Sequence, residues 1–134
     1  MMLLTRKMHF SASHRLYNPK FSEEKNREIF GLCANPNGHG HNYEIEVTVE
    51  GEPDPETGMI IDLKKLREII QHEVIDQVDH THLNIDVPFM KNIIPTAENI
   101  VKALWERLTG KIPGGTLYEI KLYETDNNSV IYRG

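Results

Sequence analysis

Cysteine is almost absent from the sequence. Cys33 stands alone, so no disulfide can form within the chain, and its thiol is left as a buried hydrophobe, a metal ligand or a reactive group. Long apolar runs are also missing. Stretches such as Met59–Ile61 fall far short of the ~20 residues that cross a bilayer, and the N-terminus lacks the apolar core of a signal peptide, so the expected location is cytoplasmic with no membrane partner. Nor is there an excess of positive charge. With 15 Lys and Arg against 20 Asp and Glu, the net charge of -5 excludes a phosphate-collecting surface as the main function, and with it nucleic acid as a partner. Nine Gly and seven Pro are too few for a collagen-like or low-complexity chain, and no internal repeat is visible. What is present is one domain, 1–134, with the composition of a globular protein and room for a small-molecule site.

Hydrophobic period then divides the chain. From Asn42 to Glu50, Tyr43, Ile45, Val47 and Val49 alternate with Glu44, Glu46, Thr48 and Glu50, the two-residue period of a strand with one dry face. Residues 4–14 read as a second strand in which Met8, Phe10, Ala12 and His14 share a face, and 116–125 with 128–133 read as a closing pair across Asp126-Asn127-Asn128. Between the two pairs, Asp62 is placed to cap a helix carrying Leu63, Leu66, Ile70 and Val74. Thr96 is placed to cap another carrying Ala97, Ile100, Leu104 and Leu108, with Gly110 as its stop. A short helix is expected over Ser22–Phe30. The order predicts an α+β fold, a four-stranded antiparallel sheet with two helices between the strand pairs packed on one face, and its open edges predict oligomerisation.

Seven histidines raise the question of a metal. His39-Gly40-His41 opens the alternating strand, which aims both imidazoles at the face of Tyr43 and Ile45. His14 has the same parity on its own strand, so three ring nitrogens converge on a face that is otherwise apolar and would charge a desolvation cost for each. Zinc removes that cost, and three His ligands with a free fourth position are the catalytic pattern. Cys33 sits in the irregular segment Gly31–Gly38 just before the His pair, and stays open between a fourth ligand and a base made thiolate by a nearby cation. Asp79-His80 pairs a carboxylate with an imidazole it can orient. Glu124 ends a strand at the parity of Tyr118, Ile120 and Leu122, so its carboxylate is directed toward the apolar face, where it needs donors.

These residues together spell out a family. The chain resembles 6-pyruvoyl-tetrahydropterin synthases nearly end to end: Phe10-Ser11-Ala12-Ser13-His14-Arg15-Leu16, then Cys33, then Asn35-Pro36-Asn37-Gly38-His39-Gly40-His41-Asn42-Tyr43, Thr57-Gly58-Met59, Asp79-His80, Glu98-Asn99 and Tyr123-Glu124-Thr125-Asp126-Asn127-Asn128. The resemblance implies the tunnelling fold, a homohexamer built as a dimer of trimers, and one Zn2+ per chain on His14, His39 and His41. It implies Cys33 as thiol base, Asp79 and His80 as its acid/base support, and Glu124 and Thr96 as substrate contacts, Glu124 anchoring the pterin. The substrate it implies is 7,8-dihydroneopterin triphosphate, isomerised internally and then relieved of triphosphate without a nicotinamide. One departure is Thr96-Ala97, where animal-type relatives carry two threonines, removing one hydroxyl.

Two alternatives stand beside this reading. The related 6-carboxytetrahydropterin synthases of the queuosine pathway share the fold, the zinc site and the substrate. They usually have three residues between cysteine and His-Gly-His where this chain has five, Ala34 to Gly38, and the ending Glu124–Asn128 is of the pyruvoyl type. A zinc-stabilised protein that binds pterins or purines without turning them over is the other. Cys33 separates it from an enzyme, because a fourth thiolate ligand closes the metal and an unligated thiol leaves it open.

Overall fold

The computed structural model describes all residues, Met1 to Gly134, as one sheet with the helices that enter the core gathered against one face. β1 (Met2–His14) and β2 (His39–Gly51) form a long antiparallel pair in which His14 faces His39 and Ala12 faces His41. The alternation read from β2 is borne out: Tyr43, Ile45, Val47 and Val49 are fully buried. β4 (Thr116–Thr125) pairs antiparallel with β2, and β5 (Asn128–Tyr132) with β4.

The sheet nonetheless differs from a four-stranded antiparallel one. A two-residue strand, β3 (Thr81–His82), runs parallel to the outer edge of β1 at Ala12 and Ser13, giving a mixed five-stranded sheet in the order β3-β1-β2-β4-β5. No periodic pattern accompanies two residues, which is why the sequence does not announce it. Tyr118 is also displaced. The β2–β4 register shifts at Thr48/Val49, so Leu117 lies opposite Val49 and is buried, while Tyr118 is half-buried near the Arg133 guanidinium. Thr48, on the other face at this bulge, is buried and satisfied by Thr5 Oγ1 at 2.8 Å.

The helices start where their caps stand. α1 (Glu23–Phe30) is capped by Ser22, whose hydroxyl accepts from Lys25 N–H, and runs into a 3-10 turn, Gly31–Ala34, that carries Cys33. Asp62 caps α2 (Leu63–Ile70), which continues through a π-helical stretch, Gln71–Ile75, into the single turn α3 (Asp76–Val78). Thr96 caps α4 (Ala97–Leu108) by accepting from Asn99 N–H, and Gly110 follows the end of that helix with φ +76°. Leu66, Ile70 and Val74 from α2 and its extension join Ile100, Leu104 and Leu108 from α4 in one core with the sheet face of Phe10, Tyr43, Ile45, Ile120 and Leu122. Full burial of each large aliphatic side chain contributes about 1.5–3 kcal/mol, so this face holds the helices against the sheet. No helix is long and apolar enough to cross a membrane.

Candidate active site

At the open end of that core the apolar face turns polar. Because β1 and β2 are in register to their ends, residues 14, 39 and 41 stand side by side, and the small side chain of Ala12 opposite His41 leaves space for three rings. The three imidazoles pack edge to face with centroids 4.7, 4.8 and 5.0 Å apart. One nitrogen from each of His14, His39 and His41 lies within 4.8 Å of the others, the spacing of a set able to share one ion.

A hydrogen bond settles which nitrogen His14 offers. His14 Nδ1–H donates to the Pro95 carbonyl at 2.8 Å, so the neutral ring presents its Nε2 lone pair inward, 3.1 Å from His39 Nε2. Tyr43 Oη lies 3.3 Å from the same Nδ1. His41 Nε2 is buried with no hydrogen-bond partner, a donor atom waiting for a Lewis acid. Burial, reinforced by the neighbouring rings and opposed by the Pro95 bond, holds His14 down to about 4. Burial likewise lowers His41, with Glu124 working against it, and burial next to Glu124 keeps the Tyr43 hydroxyl protonated. Three imidazole nitrogens so grouped fit a divalent ion such as Zn2+, which takes imidazole at ~2.0–2.1 Å.

Glu124 closes the gap between this cluster and a neighbouring hollow. Its Oε1 is 3.7 Å from His41 Nε2, and its other side faces a cavity of about 540 Å3 shared with Leu16, Thr96, Ala97, Ser129 and Asn128. Thr96 therefore does two things: its oxygen caps α4, and its hydroxyl lies in the wall of this hollow. Cys33 is not one of the grouped metal donors. It is half-buried in the 3-10 turn, and its carbonyl is held by Leu16 N–H at 2.8 Å.

Asp79 and His80 come together elsewhere. Burial alone would raise the Asp79 carboxyl, but the Ser11 N–H at 2.9 Å and His80 outweigh it and leave the carboxyl below the ordinary range. His80 Nδ1 is 3.0 Å from Asp79 Oδ2, on a residue with φ +59° whose side chain is 84% exposed. His80 lines a hollow that it shares with Ser11, Ser13, Gly40, His41 and Asn42. Within one chain neither Asp79 nor His80 is among the three grouped donors. Sequence pattern missed the Pro95 carbonyl, which as a backbone group carries no side-chain signal, and the Tyr43 hydroxyl, whose residue reads simply as an apolar strand position.

Comparison with known proteins agrees with this geometry. The family described as 6-pyruvoyl tetrahydropterin synthase matches residues 3–134. The chain is 47% identical over 131 residues to the human 6-pyruvoyl tetrahydrobiopterin synthase, covering 98% of this chain and 90% of that one. It is 44% identical to the Dictyostelium discoideum enzyme of the same name, covering 98% and 96%. Its backbone superposes on the Caenorhabditis elegans 6-pyruvoyl tetrahydropterin synthase with a TM-score of 0.93 at 41% identity, covering 99% of this chain and 95% of that one. The Plasmodium falciparum protein, at 18% identity and TM-score 0.66, shares the fold.

Proposed function

This chain belongs to the 6-pyruvoyl tetrahydropterin synthase family, and from that premise we propose that it converts 7,8-dihydroneopterin triphosphate to 6-pyruvoyl-tetrahydropterin with loss of triphosphate. It is an enzyme of the carbon-oxygen lyase class. The observation that carries the reading is the convergence of His14, His39 and His41 on one point, with an unpartnered His41 Nε2, beside a hollow closed by Glu124. The ion proposed for these nitrogens is Zn2+, one per chain, which when bound supplies Lewis-acid polarisation of substrate oxygens.

The chain's own residues then divide the work. Glu124, its carboxylate at the mouth of the hollow, accepts hydrogen bonds from the ring N–H and 2-amino group of the pterin, and the Thr96 hydroxyl offers one further contact. A ring without those donors leaves the carboxylate unpaired in a dry site, which costs affinity. Cys33, outside the ligand set, serves as the base, its Sγ taking a proton from a side-chain carbon of the substrate. His80, its Nδ1 engaged by Asp79, keeps Nε2 for proton exchange. Since the His80 side chain is largely exposed and lies outside the group of three histidines, the pair serves a pocket completed by a neighbouring chain, in keeping with a homohexamer of two trimers. The internal transfer of hydrogen balances the oxidation of one side-chain carbon against the reduction of the pterin, so no nicotinamide enters. The cytoplasm is the proposed location.

The test is the product. Incubation of purified protein and Zn2+ with dihydroneopterin triphosphate should release triphosphate and yield the mass of 6-pyruvoyl-tetrahydropterin. A carboxylated pterin with acetaldehyde would assign the chain to the queuosine-type reaction instead, and binding without turnover would make it a pterin-binding protein.

A further inference from the structure

The loop after α3 makes more contacts with the end of β1 than a two-residue strand needs. His80 N–H and Leu83 N–H donate to the carbonyls of Ser11 and Ser13 at 2.6 and 2.8 Å, continuing along the edge of β1 as a ladder. At the next outward-facing residue, Arg15, the loop backbone has turned away, and a side chain replaces it. Asn84 Oδ1 accepts from Arg15 N–H at 2.8 Å while Asn84 Nδ2–H donates to the Arg15 carbonyl at 2.9 Å. One carboxamide thus satisfies both polar groups of a single peptide residue, as a paired strand would.

The residue so gripped lies between every part of the site. Arg15 follows His14. Its Nε–H donates to the Ala34 carbonyl at 3.0 Å, and the next residue, Leu16, donates its N–H to the Cys33 carbonyl at 2.8 Å and lines the Glu124 hollow. The Cys33 turn is therefore suspended from residues 15 and 16, and the first of these is held by Asn84. We propose that Asn84 is a positioning residue: by clamping Arg15 it fixes at once the distance between the Cys33 turn and the three histidines and the direction of the His14 ring. The part of this that concerns turnover rests on Cys33 being the base; the part that concerns metal affinity does not.

The experiment compares the full-length oligomer with Asn84→Ala, Asn84→Asp and, as a control in the same loop, Asp86→Ala, which removes only the acceptor for His82 N–H. Zn2+ affinity is read by chelator competition, and the pH profile of iodoacetamide alkylation reports Cys33 without ambiguity because it is the only thiol. Asn84→Ala is expected to weaken Zn2+ binding about 10–100-fold, the usual loss when the support of a metal ligand is removed, to shift the alkylation profile, and to lower kcat more than it raises KM. Asn84→Asp keeps the acceptor for Arg15 N–H and loses the donor, so it changes both readouts in the same direction even where Asn84→Ala fails to fold. Native Zn2+ affinity and a native alkylation profile in the Asn84 variants would overturn the proposal, as would equal losses in Asp86→Ala. If Cys33→Ala retained full turnover, the base assignment would fall while the Zn2+ titration still decided Asn84.

Discussion

His14 gives its Nδ1 proton to the Pro95 carbonyl at 2.8 Å, and its Nε2 is thereby left as the lone-pair end, 3.1 Å from His39 Nε2. A backbone oxygen ahead of α4 selects the tautomer of a ring at the end of β1. The consequence for pH follows from burial, which holds this imidazole down to about 4 against an ordinary 6.5. Above pH ~6.5 neither the folded nor the unfolded chain protonates it, and its contribution to stability is complete. Between about 6.5 and 4 the unfolded chain binds a proton the folded one refuses, so stability falls as pH falls, by at most about 3–4 kcal/mol at ~1.4 kcal/mol per pH unit. The melting temperature of metal-free protein should decline across that window, and an unchanged value from pH 7 to 4 would contradict it.

Removal of one ligand should empty the metal site. His41→Ala deletes the unpartnered Nε2 and leaves two nitrogens, so metal analysis after exhaustive dialysis should find far less than one Zn2+ per chain, with activity lost in parallel. Full zinc in this variant would break the assignment.

Cys33 should fail in a different way. Outside the ligand set, it can be changed to alanine with zinc and fold retained, while turnover falls by ~10² to 10⁴ as expected for loss of a general base. Zinc lost together with the thiol would make it a ligand, and undiminished turnover would remove it from the chemistry.

Gly38 should be intolerant of any side chain. Its φ is +72°, and a Cβ would stand 2.8 Å from the His14 carbonyl oxygen and 3.1 Å from His82 Nε2. Gly38→Ala therefore combines left-handed strain of roughly 1–2 kcal/mol with a backbone clash that pushes His39 away from His14. A lower melting temperature and weaker Zn2+ binding are expected, measured by calorimetry and chelator competition.

Oligomerisation is open to direct measurement. β1 is paired on its outer side only at Ala12 and Ser13, leaving most of a thirteen-residue strand edge free, and β5 has an unpaired edge as well. Light scattering should give six times the 15.5 kDa chain mass, and a mass near one chain at micromolar concentration would exclude a shared pocket.

The legible parts of this molecule are those set by period and parity. The dry face of β2, the caps Asp62 and Thr96, and the meeting of His14 with His39 and His41 all follow from counting residues along strands and helices. What counting misses comes from single displacements. One extra residue in the β2–β4 pairing moves Tyr118 off the core and Leu117 onto it, and β3 is too short to have a period. The positive φ of His80 sets its side chain outside the group of three histidines, and no local pattern announces that turn. The grip of Asn84 on Arg15 spans 69 positions and has no local signature.

The register of β1 with β2 also bears on how the protein is made. All three nitrogens belong to the first 41 residues of 134, and they are brought together by one strand pair. A ribosome has therefore delivered all three histidines before it reaches α2 or α4. The carbonyl that orients His14 and the carboxylate beside His41 come later, at Pro95 and Glu124. In birth order the three imidazoles come first, and the hollow beside them is finished afterwards.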